Sequence, residues 1–326
     1  MNIPLLTFKS DVAVLVRDFF RTKGYLEVDT PCFSDYIIPE SSIEIFRTEQ
    51  STLQTKQYFL VPSPEVHIKK LLAECKQSLF SLSHCFRAGE NTGRIHRPEF
   101  TMLEYYTVGA DYRDSIGITE AFFSFLADCL ANNPLFNKAT GEVFRQPFLQ
   151  LTMDEAFTRY AGFALSKAQS REALLEQVQK RGLNATSDVE RYSYQDLYEL
   201  VLVSCVEPQL PQNRIVALTD YPAVSETLSA RKIQNGIPVT ERWEIYLNGV
   251  ELANCYTELT SGSEVARFFA HEVQKREESG MRRLIVPADF AQTCENLPRC
   301  SGVALGFERL LMLLSGQKTI EAFFAG

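Results

Sequence analysis

The chain has 326 residues, 45% hydrophobic and 23% charged, which excludes a disordered chain, a collagen and a simple coiled coil. Its 33 Lys and Arg against 41 Asp and Glu give a net charge of −8, so it cannot hold nucleic acid by general phosphate neutralisation. No apolar run nears the ~18 residues of a membrane span, Met1-Asn2-Ile3-Pro4 opens no secretory signal, and eight scattered cysteines with four histidines read as free thiols in a reducing cytosol rather than a zinc site.

The first predicted element is a helix over 10–24. Val12, Leu15, Val16, Phe19 and Phe20 share one face, Ser10 or Asp11 caps the start, and Gly24 supplies a left-handed stop. A short strand over 25–28 follows and closes at Asp29-Thr30-Pro31. A second helix starts at Ser63-Pro64-Glu65. Ser63 is its expected N-cap, Pro64 fits the first helical position, and Glu65 sits in the positive first turn. Its expected apolar face is Ile68, Leu71, Leu72 and Cys75.

Two strands, 79–87 and 99–108, flank a polar loop over 88–98. Alternation puts Ser81, Ser83, Cys85 and Arg87 on one face of the first, and Phe100, Met102, Glu104 and Tyr106 on one face of the second. Residues 114–207 are helical in period and carry no catalytic pattern. Strand character returns over 214–260, with a two-residue hairpin signal at Asn248-Gly249. An amphipathic helix is expected over 262–280, then a strand over 301–307 and a helix over 308–314. Strands at both ends of a helical middle indicate an α+β fold, with an antiparallel sheet flanked by helices and a helical insertion at 114–207.

The hairpin brings Glu244 and Glu251 onto one face as diagonal neighbours, roughly 7–8 Å apart at the backbone. Hard-cation coordination would neutralise them, since Mg²⁺ takes one or two carboxylates plus substrate phosphates. A solvated strand face with Lys or Arg partners is the plainer alternative. Asn254, Tyr256 and Glu258 share one parity, which suits a small cationic ligand. Strict alternation puts them opposite Glu251, and a β-bulge near Ala253 would bring the two groups together. Arg87 and Arg309 are either surface cations or a phosphoryl clamp. No P-loop, Gly-x-Gly-x-x-Gly or Gly-x-Ser-x-Gly pattern is present.

The run Phe86-Arg87, then His96-Arg97-Pro98-Glu99-Phe100-Thr101-Met102-Leu103-Glu104, resembles motif 2 of class II lysyl-tRNA synthetases. Ser301-Gly302-Val303-Ala304-Leu305-Gly306-Phe307-Glu308-Arg309 resembles their motif 3, and Gly24-Tyr25-Leu26-Glu27-Val28-Asp29-Thr30-Pro31 their dimerising motif 1. Ser63-Pro64-Glu65 and Glu251-Leu252-Ala253-Asn254 fall between. The resemblance runs from about residue 10 to the C-terminus. It implies the class II catalytic fold as a single domain over 1–326, a homodimer, and no anticodon-reading contact with tRNA. A catalytic domain of this kind without an anticodon-binding OB-fold looks like the elongation factor P–lysine ligase family.

That family implies a cytoplasmic enzyme using ATP and Mg²⁺. It activates lysine, preferentially (R)-β-lysine, and attaches it to a lysine of elongation factor P. By resemblance, Arg87 and Arg309 are the catalytic pair. Glu90, His96, Arg97, Phe100, Glu251, Leu252 and Gly306 complete the ATP site, and Glu244 and Glu251 hold the metal. Ser63, Pro64, Glu65, Glu104, Tyr106, Asn254, Tyr256, Glu258 and Ala304 form the substrate pocket, with Ala304 as a β-lysine selector. Here Phe86-Arg87-Ala88-Gly89-Glu90 carries one residue more than the family's Phe-Arg-x-Glu, Arg97 replaces an Asn and Cys255 a Gly. Glu90 is expected to serve through a shifted loop. The alternatives are a minimal tRNA-charging enzyme, a ligase acting on a small free amine, and a non-catalytic synthetase-like regulator.

Overall fold

The first helix, α1 (Ile3–Thr22), starts earlier than position 10. The apolar period runs back through Phe8 and Leu5, and the Asn2 side chain caps the start by accepting from the Leu5 amide. Leu5, Phe8, Val12, Val16, Phe19 and Phe20 are buried, whereas Leu15 is only half-buried. Gly24 takes the expected left-handed conformation, at φ +82°. This computed structural model describes residues 2–50, 56–89, 92–183, 189–224, 227–281 and 284–324.

In chain order come β1 (Leu26–Glu27), β2 (Phe33–Ser34), β3 (Arg47–Gln50), β4 (Lys56–Leu60), α2 (Glu65–Cys75), β5 (Leu79–Phe86) and β6 (Glu99–Val108). Next are α3 (Tyr112–Cys129), α4 (Lys138–Phe144), β7 (Leu149–Thr152), α5 (Met153–Ala156), α6 (Arg171–Lys180) and α7 (Tyr194–Val201). The chain continues through β8 (Val216–Pro222), β9 (Arg231–Gln234), β10 (Ile237–Leu247) and β11 (Val250–Thr257). It ends with α8 (Gly262–Glu278), α9 (Phe290–Glu295), β12 (Cys300–Gly306) and α10 (Phe307–Ser315).

Contacts divide the chain into two compact units, Met1–Gln146 with Cys255–Gly326, and Pro147–Asn254. The boundary falls within β11. Of the expected helical stretch 114–207, α3 and α4 belong to the first unit and the remainder to the second. That remainder is not all helix. Its four-residue strand β7 pairs in parallel with β8, and four residues are too few to show as a period in sequence.

In the first unit the sheet order is β1-β5-β6-β12, with β1 parallel to β5 and the other pairs antiparallel. A separate three-stranded sheet runs β2-β4-β3. Phe20 is central to the core, with ring centroids 5.2 Å from Phe80 and 4.7 Å from Tyr105. In the second unit the order is β11-β10-β8-β7, with β9 on β10. Asn248 and Gly249 sit at φ +53° and +72°, as a two-residue turn with both central residues left-handed requires. Phe157 and Tyr198 stack in this unit's core at 5.4 Å.

Candidate active site

Strand register in the first unit aligns the expected face. Ser81, Glu104 and Ala304 lie opposite one another on β5, β6 and β12, as do Leu79, Tyr106 and Gly302. Directly opposed residues of antiparallel strands point the same way. Glu104 is 2% exposed. It accepts from Ser63 Oγ at 2.6 Å and from the Tyr106 hydroxyl at 3.1 Å. Burial, and then the charge of Glu65, push its carboxyl up to about 8.

The inner face of α2 differs from the expected one. Val66, Ile68, Lys69 and Leu72 are buried, while Leu71 and Cys75 are exposed. Lys69 is 0% exposed. Its Nζ lies 2.5 Å from Glu65 Oε1 and 2.5 Å from Glu258 Oε2. Burial opposes the Lys69 charge, but the Glu258 and Glu65 carboxylates outweigh it and hold the ammonium well above its usual range. Burial, with Glu65 behind it, pushes Glu258 up against the pull of Lys69. The sequence reading missed Lys69, because a Glu–Lys pair four apart on a helix reads as a surface ion pair.

The start of α2 differs too. Pro64, not Ser63, takes the N-cap position, with φ −73° and ψ −2°. Ser63 Oγ still accepts from the Glu65 amide, at 3.1 Å, while its proton goes to Glu104. Gly302 lets Glu258 and Tyr106 pack close against β12. A Cβ there would come within 2.2 Å of Glu258 Oε1 and 2.5 Å of Tyr106 Cε1. Ala304 and Tyr256 are half-buried.

Arg87 follows β5, and its amide donates to Pro98 O at 2.9 Å. Its guanidinium carbon lies 5.4 Å from the Phe100 ring centroid, a cation–π arrangement. Arg309, in the first turn of α10, donates to Ile95 O at 3.2 Å and meets His96 Nε2 at 2.9 Å. The 88–98 loop and α10 thus bring His96 and Arg309 together. Gly306 caps α10 and faces the Arg309 stem. Arg97 pairs with Glu321 at 2.6 Å and lies 4.2 Å from the Phe324 ring centroid. Glu90 lies outside the described residues.

A cavity of 210 Å³ adjoins Arg87, lined by Ser42, Ile43, Glu44, Ala88 and Gly89. Helix α8 braces this loop. Glu272 accepts from the Ser41 amide at 2.7 Å, and Arg276 donates to Glu40 O at 2.6 Å and Ile43 O at 2.8 Å. The Glu40 carboxyl was also missed. Burial, then Glu65, raise it to about 7, with Arg87 pulling the other way.

In the second unit Glu244 is 9% exposed and accepts from Tyr221 at 2.8 Å and Tyr246 at 2.6 Å. Arg242 holds its other oxygen. Arg242 also donates to Asn254 Oδ1 at 3.1 Å. Burial along β11 alternates until Leu252 and Ala253, both buried, and then changes phase. Glu251 and Asn254 are both half-buried, and Asn254 meets Arg242, the partner of Glu244. The Glu244 carboxylate thus has the arginine partner that the plainer sequence reading allowed. Among the described residues no group of three or more His, Cys, Asp or Glu could hold a metal ion.

Comparison with known proteins identifies the family. A family profile described as tRNA synthetases class II (D, K and N) matches residues 4–325. An elongation factor P–(R)-beta-lysine ligase homolog of Aquifex aeolicus (strain VF5) is 34% identical, over 95% of this chain and 94% of the relative. The elongation factor P–(R)-beta-lysine ligase of Haemophilus ducreyi is 31% identical, over 99% and 94%. That of Buchnera aphidicola subsp. Baizongia pistaciae is 33% identical, over 95% and 90%. No helix among the described residues is long and apolar enough to cross a membrane. The chain belongs to the class II tRNA synthetase family of the D, K and N type, and within it to the elongation factor P–(R)-β-lysine ligases.

Proposed function

We propose that this protein is an ATP-dependent ligase that activates (R)-β-lysine as an aminoacyl-adenylate and transfers it to a lysine side chain of elongation factor P. The observation that carries the reading is the buried group of Glu65, Glu104, Glu258 and Lys69, in a chain whose relatives bear that ligase name. Carboxylates gathered out of water suit a substrate with two ammonium groups.

The substrate carboxylate attacks the α-phosphorus of ATP, and the bond to pyrophosphate breaks. The acceptor's lysine amine then attacks the activated carbonyl, AMP leaves, and the amine loses a proton. Positioning and charge stabilisation dominate such chemistry. Arg87 would bind the α-phosphate and the substrate carboxylate, with Arg309 clamping from the other side. His96 would reach the γ-phosphate, and Phe100 would stack on adenine. Arg97, Glu90, Leu252 and Gly306 would line the nucleotide. Glu65 would take the ammonium nearest the carboxylate, and Glu104, Tyr106 and Glu258 the distant one. Ser63, Pro64, Asn254, Tyr256 and Ala304 would complete the wall. Two carboxylates are a donor set that Mg²⁺ accepts when substrate phosphates complete its shell, so Glu244 and Glu251 would hold it. Bound there, it would neutralise phosphate charge, and Arg242 is the group it would displace from Glu244. The same reading makes the protein a cytoplasmic homodimer joined through 24–31.

The test offers labelled lysine and (R)-β-lysine, with ATP, to elongation factor P and to bulk tRNA. Label on the protein alone, (R)-β-lysine preferred, is the expected result. Label on tRNA would indicate a minimal synthetase, and label on neither a regulator. In a folded Arg87→Ala variant, ATP–pyrophosphate exchange should be abolished; retained exchange would defeat the assignment of Arg87.

A further inference from the structure

The ionisable groups of the buried pocket are not balanced. Glu65 and Glu258 share the Lys69 ammonium, while the direct partners of Glu104 are the hydroxyls of Ser63 and Tyr106. One internal cation stands against three carboxyls. Lys69 is wholly buried and its ammonium is locked in place by two carboxylates at 2.5 Å. Two carboxylates and one ammonium leave a fixed charge of −1. A third carboxylate, on the buried Glu104, would add a second uncompensated charge out of water, which is costly. Consistent with this, Glu104 is pushed to about 8 and holds its proton at neutral pH.

A substrate with two ammonium groups reverses the balance. With the substrate carboxylate matched by Arg87, as in the proposed binding mode, its two ammonium charges entering a pocket of charge −1 leave a surplus of +1. Ionisation of Glu104 removes it. We propose that the pocket takes its diamino substrate in exchange for a proton: Lys69 is the fixed counter-ion of Glu65 and Glu258, and Glu104 is the carboxyl that ionises as the second ammonium arrives. The proton passes from Glu104 to solvent, and no other bond changes. This deepens the proposed function and rests on it. It also explains selection. An amino acid with a single ammonium, such as norleucine, brings the pocket only to neutrality and gives Glu104 no cause to ionise.

The groups facing Glu104 are Glu65 and Lys69 from α2, Ser63 just before that helix, Tyr106 beside it on β6, and Cys85 on β5, while Glu258 faces Tyr106 and Lys69. Burial holds the Cys85 thiol and Tyr106 phenol well above their usual ranges, so neither exchanges a proton near neutrality. Glu40, at about 7 and facing Glu65 and Lys69, and Glu258, pushed up by burial, are the competing sources.

The experiment is calorimetric titration of (R)-β-lysine into the full-length protein at pH 7, in buffers of different ionisation enthalpy. About one proton should be released per molecule bound, and affinity should rise about tenfold per pH unit up to about pH 8, then level off. Glu104→Gln should remove the release and flatten the pH profile, while Glu40→Gln should keep both. Binding without release overturns the proposal, as does release that survives Glu104→Gln or vanishes in Glu40→Gln. Proton release on norleucine binding overturns it as well. If Glu104→Gln does not fold, the wild-type proton count and the norleucine comparison still decide. Absence of any binding by lysine or its β isomer would instead strike at the proposed function.

Discussion

Glu104 in the first unit and Glu244 in the second are built from similar parts. Each is a buried carboxyl with two hydroxyl donors: Ser63 and Tyr106 for Glu104, Tyr221 and Tyr246 for Glu244. They differ in where the nearby cation is committed. Arg242 stands two residues before Glu244 on the same strand, beside the register shift between Thr240 and Trp243, and pairs with it directly. Lys69 is delivered by a helix and is committed to Glu65 and Glu258. Glu104 is left to hydroxyls and keeps its proton. The placement of one ammonium thus separates a proton-holding carboxyl from an ion-paired one.

The sharpest way to break this comparison is to remove each cation. Lys69→Met leaves the buried Glu258 and the half-buried Glu65 without their shared partner and should cost about 3–5 kcal/mol in urea unfolding. Arg242→Met should cost less, about 1–3 kcal/mol, because both phenols still serve Glu244. Equal losses would mean that the two sites are balanced alike.

Gly302→Ala comes next. Its Cβ meets Glu258 and Tyr106, so overpacking of about 1–3 kcal/mol is expected, together with a raised KM for the amino acid in pyrophosphate exchange. Gly249→Ala in the hairpin turn meets no neighbouring atom within 4 Å, and should cost about 1 kcal/mol through its positive φ alone, leaving KM unchanged.

The pH dependence of stability carries a definite sign. Glu104 is raised in the folded protein, so the folded state binds its proton more tightly than the unfolded chain does. Stability from this group is full below the unfolded value of about 4.3 and is lost as pH rises towards about 8. Relative to the wild type, substrate-free Glu104→Gln should therefore gain stability between pH 5 and 8 in urea titrations. A parallel pair of curves would show that Glu104 is not the group holding the proton. The smallest effect belongs to Ala304, opposite Glu104 on β12. Ala304→Gly should shift the preference between lysine and (R)-β-lysine by about 1 kcal/mol, the low end for one methyl group, read as a ratio of kcat/KM values.

Much of the site was legible because its parts are local. Alternation along 79–87 and 99–108 sorted Ser81 and Glu104 to one face of each strand, which the register then aligned, and the Asn-Gly pair located the hairpin turn. The carboxylates Glu65, Glu104 and Glu258 could be named from motif resemblance. The burial phase changes near Ala253, where the sequence reading expects a break in strict alternation. The start of α1 was misplaced because the run from Leu5 to Val12 is diluted by Thr7, Lys9, Ser10 and Asp11.

Residue order along this chain determined its longer strands, its hairpin turn and the set of carboxylates offered to a cation. Those features depend on neighbours a few positions apart, where period and turn chemistry act. Which carboxylates share Lys69, and which one keeps its proton, was decided only in the folded structure. Glu65 and Glu258 lie far apart in the chain and meet one ammonium across α2 and the end of β11. The cost of a charge depends on the water and the counter-ions around it, and only tertiary packing removes the one and supplies the other.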